Sequence, residues 1–162
     1  MNTRPLLIIA ALVQNTSGCS SKDAPAACNE LASPAAVTVS VQSAAAAPAK
    51  SGGDIVDGQY LLTKATVYAD APTGTTAFPR TMSASFILSA STLQWVGSTD
   101  GEERRFSSSF SHSGYYIYTI ESCPTDGSED SYMYTASGAE LRLYPDWASL
   151  TIPTTELVFT RR

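Results

Sequence analysis

A single histidine, His112, stands in the run Ser111-His112-Ser113-Gly114, with a serine on each side of it. A serine nucleophile needs its imidazole base to arrive from a separate element, with a third group orienting that base. Consecutive residues at a glycine-containing turn point apart, so His112 is expected to be a turn histidine and no catalytic residue is assigned. Carboxylates gather in three short stretches: Asp54 with Asp57, Asp100 with Glu102 and Glu103, and Asp126 with Glu129 and Asp130. The last, Asp126-Gly127-Ser128-Glu129-Asp130, offers several oxygens to a hard cation but lacks the ordered ligand ladder of a calcium loop. Paired acids for glycoside hydrolysis are defined by their separation in space, which spacing along the chain does not set. The chain has three cysteines, none in a Cys-x-x-Cys pair and none near His112, so thiolate metal binding has no support. No metal, no cofactor and no enzymatic activity is expected.

All eight tyrosines lie after residue 54, together with both tryptophans, Trp95 and Trp147. Tyrosine joins an apolar ring to one polar tip. Tyr116, Tyr118, Tyr132 and Tyr134, with Trp95, are therefore the candidates for lining a ligand cavity or presenting an adhesive outer patch. The alternative, that tyrosine is present as a good strand former, stays open.

The elements that must position these rings follow Gly52-Gly53. There the composition turns to Tyr, Phe, Ile, Val and Thr in stretches bounded by turn formers. Strands are expected at about 59–68, 80–89, 92–97, 103–110, 114–121, 131–136, 139–144 and 155–161. Asp100-Gly101, Ser113-Gly114, Asp126-Gly127 and Ser137-Gly138 lie between them and supply glycines for tight hairpins. Met82, Ala84, Phe86 and Leu88 alternate with serines. Phe106 with Phe110, Leu93 with Trp95, Leu141 with Leu143 and Leu157 with Phe159 repeat the same period of two. No helix-period stretch is long enough for a parallel crossover. The expected fold is all-β: a single eight-stranded antiparallel meander over 54–162, closed as an up-and-down barrel, with a two-sheet β-sandwich as the alternative. About 108 residues can bury roughly two thirds of their unfolded surface, enough to fold without a metal.

Ten Lys and Arg stand against fifteen Asp and Glu, and no basic run exceeds two residues. That balance gives no grip on phosphates, so nucleic acid is not an expected partner. Residues 19–53 are dominated by Ala, Ser and Pro and are expected to be a linker, mostly disordered. Val37, Val39 and Val41 alternate with polar residues there, but three valines do not stabilise a strand alone.

The amino terminus carries an address. Met1 to Arg4 form a short cationic start, and Leu6 to Val13 form an apolar run too short to span a bilayer. The following Thr16-Ser17-Gly18-Cys19 resembles a bacterial lipobox, in which small residues precede a cysteine that becomes the lipidated first residue of the mature chain. The resemblance covers about twenty residues. It implies a signal peptide at 1–18, lipidation at Cys19 and attachment to a membrane of the bacterial cell envelope. Ser20 in the next position resembles lipoproteins sent on to the outer membrane, facing the periplasm or the surface. An ordinary secretory signal cleaved nearby is the competing expectation.

With Cys19 taken by lipid, Cys28 and Cys123 remain, and an oxidising envelope permits them to pair. The bridge would close a loop of about 95 residues, for which chain-entropy arguments give roughly 4 to 5 kcal/mol. The alternative is a buried Cys123 and a free Cys28.

The segment Asp57-Gly58-Gln59-Tyr60-Leu61-Leu62, with Glu156 to Arg161 at the other end, resembles the lipocalin-like domains of small bacterial lipoproteins. In that family a Gly-x-Trp closes the barrel floor and an Arg from the last strand packs over it. Gly58-x-Tyr60 and Arg161 hold the corresponding places, with Tyr in place of Trp. The resemblance implies a non-catalytic barrel holding a small apolar or amphipathic ligand, its mouth formed by loops 70–79 and 98–102. The competing expectation is a protein-interaction module, such as an inhibitor or accessory subunit of an envelope enzyme, with a solid interior.

Overall fold

The computed structural model describes residues 28–43, 46–69, 81–124, 127–145 and 154–162. The signal segment 1–18, Cys19, the 70–79 loop, Asp126 and Trp147 lie outside the described residues.

Among the described residues the protein is all β. The strands are β1 (Val37–Ser43), β2 (Gly58–Ala69), β3 (Thr81–Ser89), β4 (Thr92–Thr99), β5 (Glu102–Ser113), β6 (Tyr116–Cys123), β7 (Glu129–Ser137), β8 (Glu140–Pro145) and β9 (Thr154–Arg161). From β2 to β9 each strand pairs antiparallel with the next, and β2 pairs with β9, so the sheet closes in a ring. The closing ladder runs from Tyr60 opposite Arg161 to Tyr68 opposite Thr154, with a register shift between Leu62 and Lys64. All eight expected strands are present, with ends that move by one to three residues: β2, β4, β5, β7 and β9 are longer, β6 and β8 are shifted toward the carboxyl end, and β3 is one residue shorter.

The ninth strand comes from the segment expected to be a loose linker. β2 and β3 pair only over Gly58 to Leu61 and Ser85 to Leu88, then diverge. Into that wedge β1 inserts, parallel to β2 from Val39 opposite Ala65 to Ser43 opposite Ala69, and antiparallel to β3 at Val37 and Thr38. The sheet is therefore mixed. Three valines suffice because two diverging strands already present unpaired backbone groups, and satisfying them stabilises the insert. Val37 and Val39 pack against the core. The described residues of 19–53 thus belong to the domain rather than preceding it.

Period-two alternation decides which side chains meet inside. Met82, Ala84, Phe86 and Leu88 on β3, Leu141 and Leu143 on β8, and Leu157 and Phe159 on β9 are all buried in one cluster. Within it Tyr60, Phe86, Trp95 and Phe106 are direct cross-strand partners on four successive strands. Their rings stack in series at 4.9, 5.6 and 5.7 Å, each within 15° of parallel, while Phe159 meets Phe86 and Trp95 edge-on. Each such contact contributes about 0.5–1.5 kcal/mol beyond burial, and a slip of one residue would turn the whole series outward. The series holds the register of β2 to β5.

The turn at Asp100-Gly101 has positive φ at both positions, 49° and 92°, the geometry of the tight hairpin its sequence implies. The β3–β4 turn carries no glycine. Ala90 takes φ 52° there, and its N–H donates to Asp57 Oδ2 at 2.9 Å.

Candidate functional site: the interior of the ring

The interior is not solid. A cavity of about 240 Å³ lies inside, walled by Phe86, Leu93, Trp95, Phe106, Ile117 and Leu157, among others. The meander puts the β4–β5 and β6–β7 turns and the end of β8 at the same end of the ring. Toward that end the lining becomes polar: Thr99, Glu102, Arg104, Thr119 and Tyr132. Thr99, Glu102 and Arg104 are exposed, marking this end as the mouth.

Arg104 and Glu121 join at the mouth, Nη2 to Oε1 at 2.6 Å. The Arg104 side chain is 63% exposed and that of Glu121 only 1%, so a buried carboxylate is neutralised from the solvent side. The Arg104 guanidinium also lies over the Phe106 ring at 5.5 Å from its centroid. Burial, reinforced by the neighbouring Asp130 carboxylate, pushes the Tyr132 phenol well above its usual range, so it remains a neutral hydrogen-bonding group.

The opposite end is closed by the chain that leads into β2. Gly52 N–H donates to the Tyr134 carbonyl at 2.9 Å, and Ala136 N–H donates to the Gly52 carbonyl at 2.8 Å. Tyr134 Oη donates to the Gly53 carbonyl at 2.9 Å and lies 3.2 Å from His112 Nδ1. Tyr60 Oη donates to the Val56 carbonyl at 2.6 Å. A Cβ at Gly52 would stand 2.3 Å from the Gly114 carbonyl oxygen, a backbone atom, so only glycine passes this slot. At Gly58 a Cβ would meet Arg161 Cδ at 3.1 Å, because the Arg161 stem lies across this position. Burial raises the phenol pKa of both Tyr60 and Tyr134.

Of the five aromatic candidates, Trp95 and Tyr132 line the cavity. Tyr134 is buried, at 1% exposure, but its hydroxyl is committed to the floor. Tyr116 and Tyr118 fall to the other alternative, the outer surface. The β6–β7 register sets Ile117 opposite Tyr132, so Ile117, Thr119 and Glu121 take the inner face and the two tyrosines turn outward. There Tyr115, Tyr118 and Ile120 are 45%, 46% and 47% exposed.

His112 is exposed at the floor end of β5, and its partner is Tyr134 rather than a serine. Asp57 and Asp100 bond to backbone N–H groups at the ends of β3. Among the described residues no group of three or more His, Cys, Asp or Glu could hold a metal ion. Cys28 and Cys123 are joined in a disulfide.

Sequence reasoning missed Arg104 and Glu121. Both sit in period-two rows with inward residues, Arg104 with Phe106 and Phe110, and Glu121 with Ile117 and Thr119, which is the signal that could have found them. A second buried acid was also missed, on the outer face. Glu156, 1% exposed, accepts from Tyr68 Oη at 2.8 Å, Tyr144 Oη at 3.1 Å and Arg142 Nη1 at 2.9 Å. Burial, with the Glu156 charge adding to it, raises the Tyr144 phenol to about 12. Lys50 lies over the Tyr144 ring at 5.0 Å. This network fastens β2, β8, β9 and the incoming chain.

Comparison with protein-family models, with curated proteins and with solved structures finds no match.

Proposed function

We propose that this protein is a membrane-anchored bacterial envelope lipoprotein, lipidated at Cys19 and attached to the outer membrane, whose non-catalytic domain binds a small apolar or amphipathic ligand inside the ring. The cavity carries this reading: apolar and aromatic walls with a few polar groups gathered at one end are the composition of small-molecule sites. An apolar body fits between Trp95, Phe106 and Leu157, and a polar end meets Glu102, Arg104 and Tyr132. The floor supports the lipocalin-like resemblance, since Gly58, Tyr60 and Arg161 meet there.

The test is native mass spectrometry of gently purified protein, together with uptake of a fluorescent fatty-acid analogue. A bound small molecule and saturable uptake are expected. Ala84→Leu, which extends a side chain from the cavity wall, should abolish uptake while leaving the circular dichroism unchanged. Uptake that Ala84→Leu does not alter would remove the cavity from consideration.

A second reading rests on the outward tyrosines. An exposed cluster of Tyr115, Tyr118 and Ile120 is the kind of surface that protein interfaces use, and it supports a partner among envelope proteins. Photo-crosslinking from position 118 in intact cells should then recover one recurrent protein; a spread of unrelated adducts would discard this reading.

A further inference from the structure

Strand alternation fixes which charges face into the mouth of the cavity. Glu102 and Arg104 share the inward row of β5 with Phe106, and Glu121 shares that of β6 with Ile117 and Thr119. Asp130, directly opposite Thr119, shares the inward row of β7 with Tyr132. Glu103 and Glu129 fall in the alternate rows and face outward, Glu129 opposite the exposed Ile120. Among the described residues at this end, three carboxylates therefore turn inward against one guanidinium.

That guanidinium is committed. Arg104 Nη2 lies 2.6 Å from Glu121 Oε1, and the Glu121 side chain is only 1% exposed. Drawing Arg104 away toward a bound anion would leave a buried carboxylate uncompensated. Once this pair cancels, the exposed Glu102 and Asp130 set the local field, and it is negative. The aromatic lining favours the same sign of ligand, because ring faces attract cations. Phe106 already carries the Arg104 guanidinium, 5.5 Å from its centroid, and Tyr132 supplies a second ring at this end. The Tyr132 hydroxyl is hydrogen-bonded to the Asp130 carboxylate, which ties that charge to the cavity wall.

We propose that the cavity selects an amphiphile with a cationic end, its apolar body inside the ring and its ammonium group at the mouth between Glu102 and Asp130, beside the Tyr132 ring. This rests on the reading of the cavity as a binding site and adds the sign of charge that the site accepts. A fatty acid enters on its apolar body alone, with its carboxylate set against the same two acids. A neutral end is neither drawn nor repelled.

The experiment is isothermal titration calorimetry of the full-length protein in phosphatidylcholine nanodiscs with three probes of one chain length: n-octylamine, n-octanol and n-octanoate. At neutral pH their ends are cationic, neutral and anionic. The Ala84→Leu variant in the same discs is the reference, since it keeps the surface charges and the lipid while filling the cavity. Affinity should fall in the order amine, alcohol, carboxylate, with about tenfold between the first and the last at low ionic strength. Added salt should narrow that gap. The double variant Glu102→Gln, Asp130→Asn should bring amine and carboxylate within about twofold of each other while leaving octanol binding unchanged. Glu129→Gln, which removes one charge from the outer face of β7, should leave the gap as it was.

Octanoate binding as tightly as octylamine overturns the selection for a cation and leaves the cavity standing as a binding site. A gap that survives the double variant, or that Glu129→Gln closes equally well, overturns the roles of Glu102 and Asp130. Amine binding that persists in Ala84→Leu places the amine outside the ring and overturns the proposal. Heat indistinguishable from the Ala84→Leu reference for all three probes overturns the binding reading itself.

Discussion

The two ends of the ring are built from the same strands and finished by different means. At the floor, Gly52 threads between backbone atoms, Tyr134 and Tyr60 spend their hydroxyls on carbonyls of the crossing chain, and the Arg161 stem lies across Gly58. At the mouth, Arg104 and Glu121 form a pair open to water on one side, and a Cβ added at Gly101, in the turn that Asp100 ties to Thr81, would meet nothing within 4 Å. The floor is closed by main-chain fit, which tolerates no added atom. Among the described residues the mouth is bounded by side chains, those of Thr99, Glu102 and Arg104. A ring of strands leaves both ends open by geometry, so the asymmetry is made by a few glycines and tyrosines at one end.

The largest effect should come from the link at the mouth. Replacing Cys28 and Cys123 by serine frees a loop spanning a sequence separation of 95; by chain entropy this lowers the unfolding free energy by about 4–5 kcal/mol, read from the urea midpoint. A loss below about 1 kcal/mol would mean that Asn29 and β1 already hold the segment without the bridge.

Next comes the floor. Gly52→Ala forces a Cβ against the Gly114 carbonyl at a position with φ 70°, and should cost about 3 kcal/mol with a rise in protease sensitivity. If unfolding curves of the variant and the parent coincide, the crossing chain is not held as described.

The buried phenols give the comparison a pH axis. Tyr60, Tyr134 and Tyr144 have raised pKa values, chiefly through burial, Tyr144 to about 12. In the unfolded chain they ionise near 10. The folded state therefore retains protons that the unfolded state has released, and stability falls as pH rises from about 10 toward 12. Tyrosinate absorbance should accordingly show a component that appears only as the chain unfolds. Tyr134→Phe should cost about 1.5 kcal/mol at neutral pH and reduce the alkaline slope; an unchanged slope would shift the effect to the other phenols.

Last comes the matched change at the mouth. Gly101 has φ 92°, but a Cβ there meets nothing within 4 Å. Gly101→Ala should cost about 1–2 kcal/mol, the backbone penalty alone. A loss equal to that of Gly52→Ala would erase the distinction between the two ends.

The strands and the inward rows were legible because burial imposes a period of two, and residues such as Met82 to Leu88 display it without interruption. Trp95 and Tyr132 were recognisable as cavity residues for the same reason. Whether Tyr116 and Tyr118 face the cavity or form an outer patch was left open by the sequence because which face a row takes depends on its register with the neighbouring strand, and the Ile117-to-Tyr132 pairing is not written in either segment alone. Arg104 and Glu121 escaped notice because charge is ordinarily an outward marker, overridden here by mutual neutralisation at an open end. β1 was legible as an alternation of valines but not as a strand, since its partners, the diverging parts of β2 and β3, exist only once the ring has closed.

That wedge has one more effect. With β9 joined to β2 and β1 lodged where β2 and β3 part, every described strand has a neighbour on both sides along at least part of its length. Over those doubly paired stretches another polypeptide finds no free backbone to add to, the route by which exposed edges recruit peptides or seed fibrils. Recognition along them must then be written in side chains.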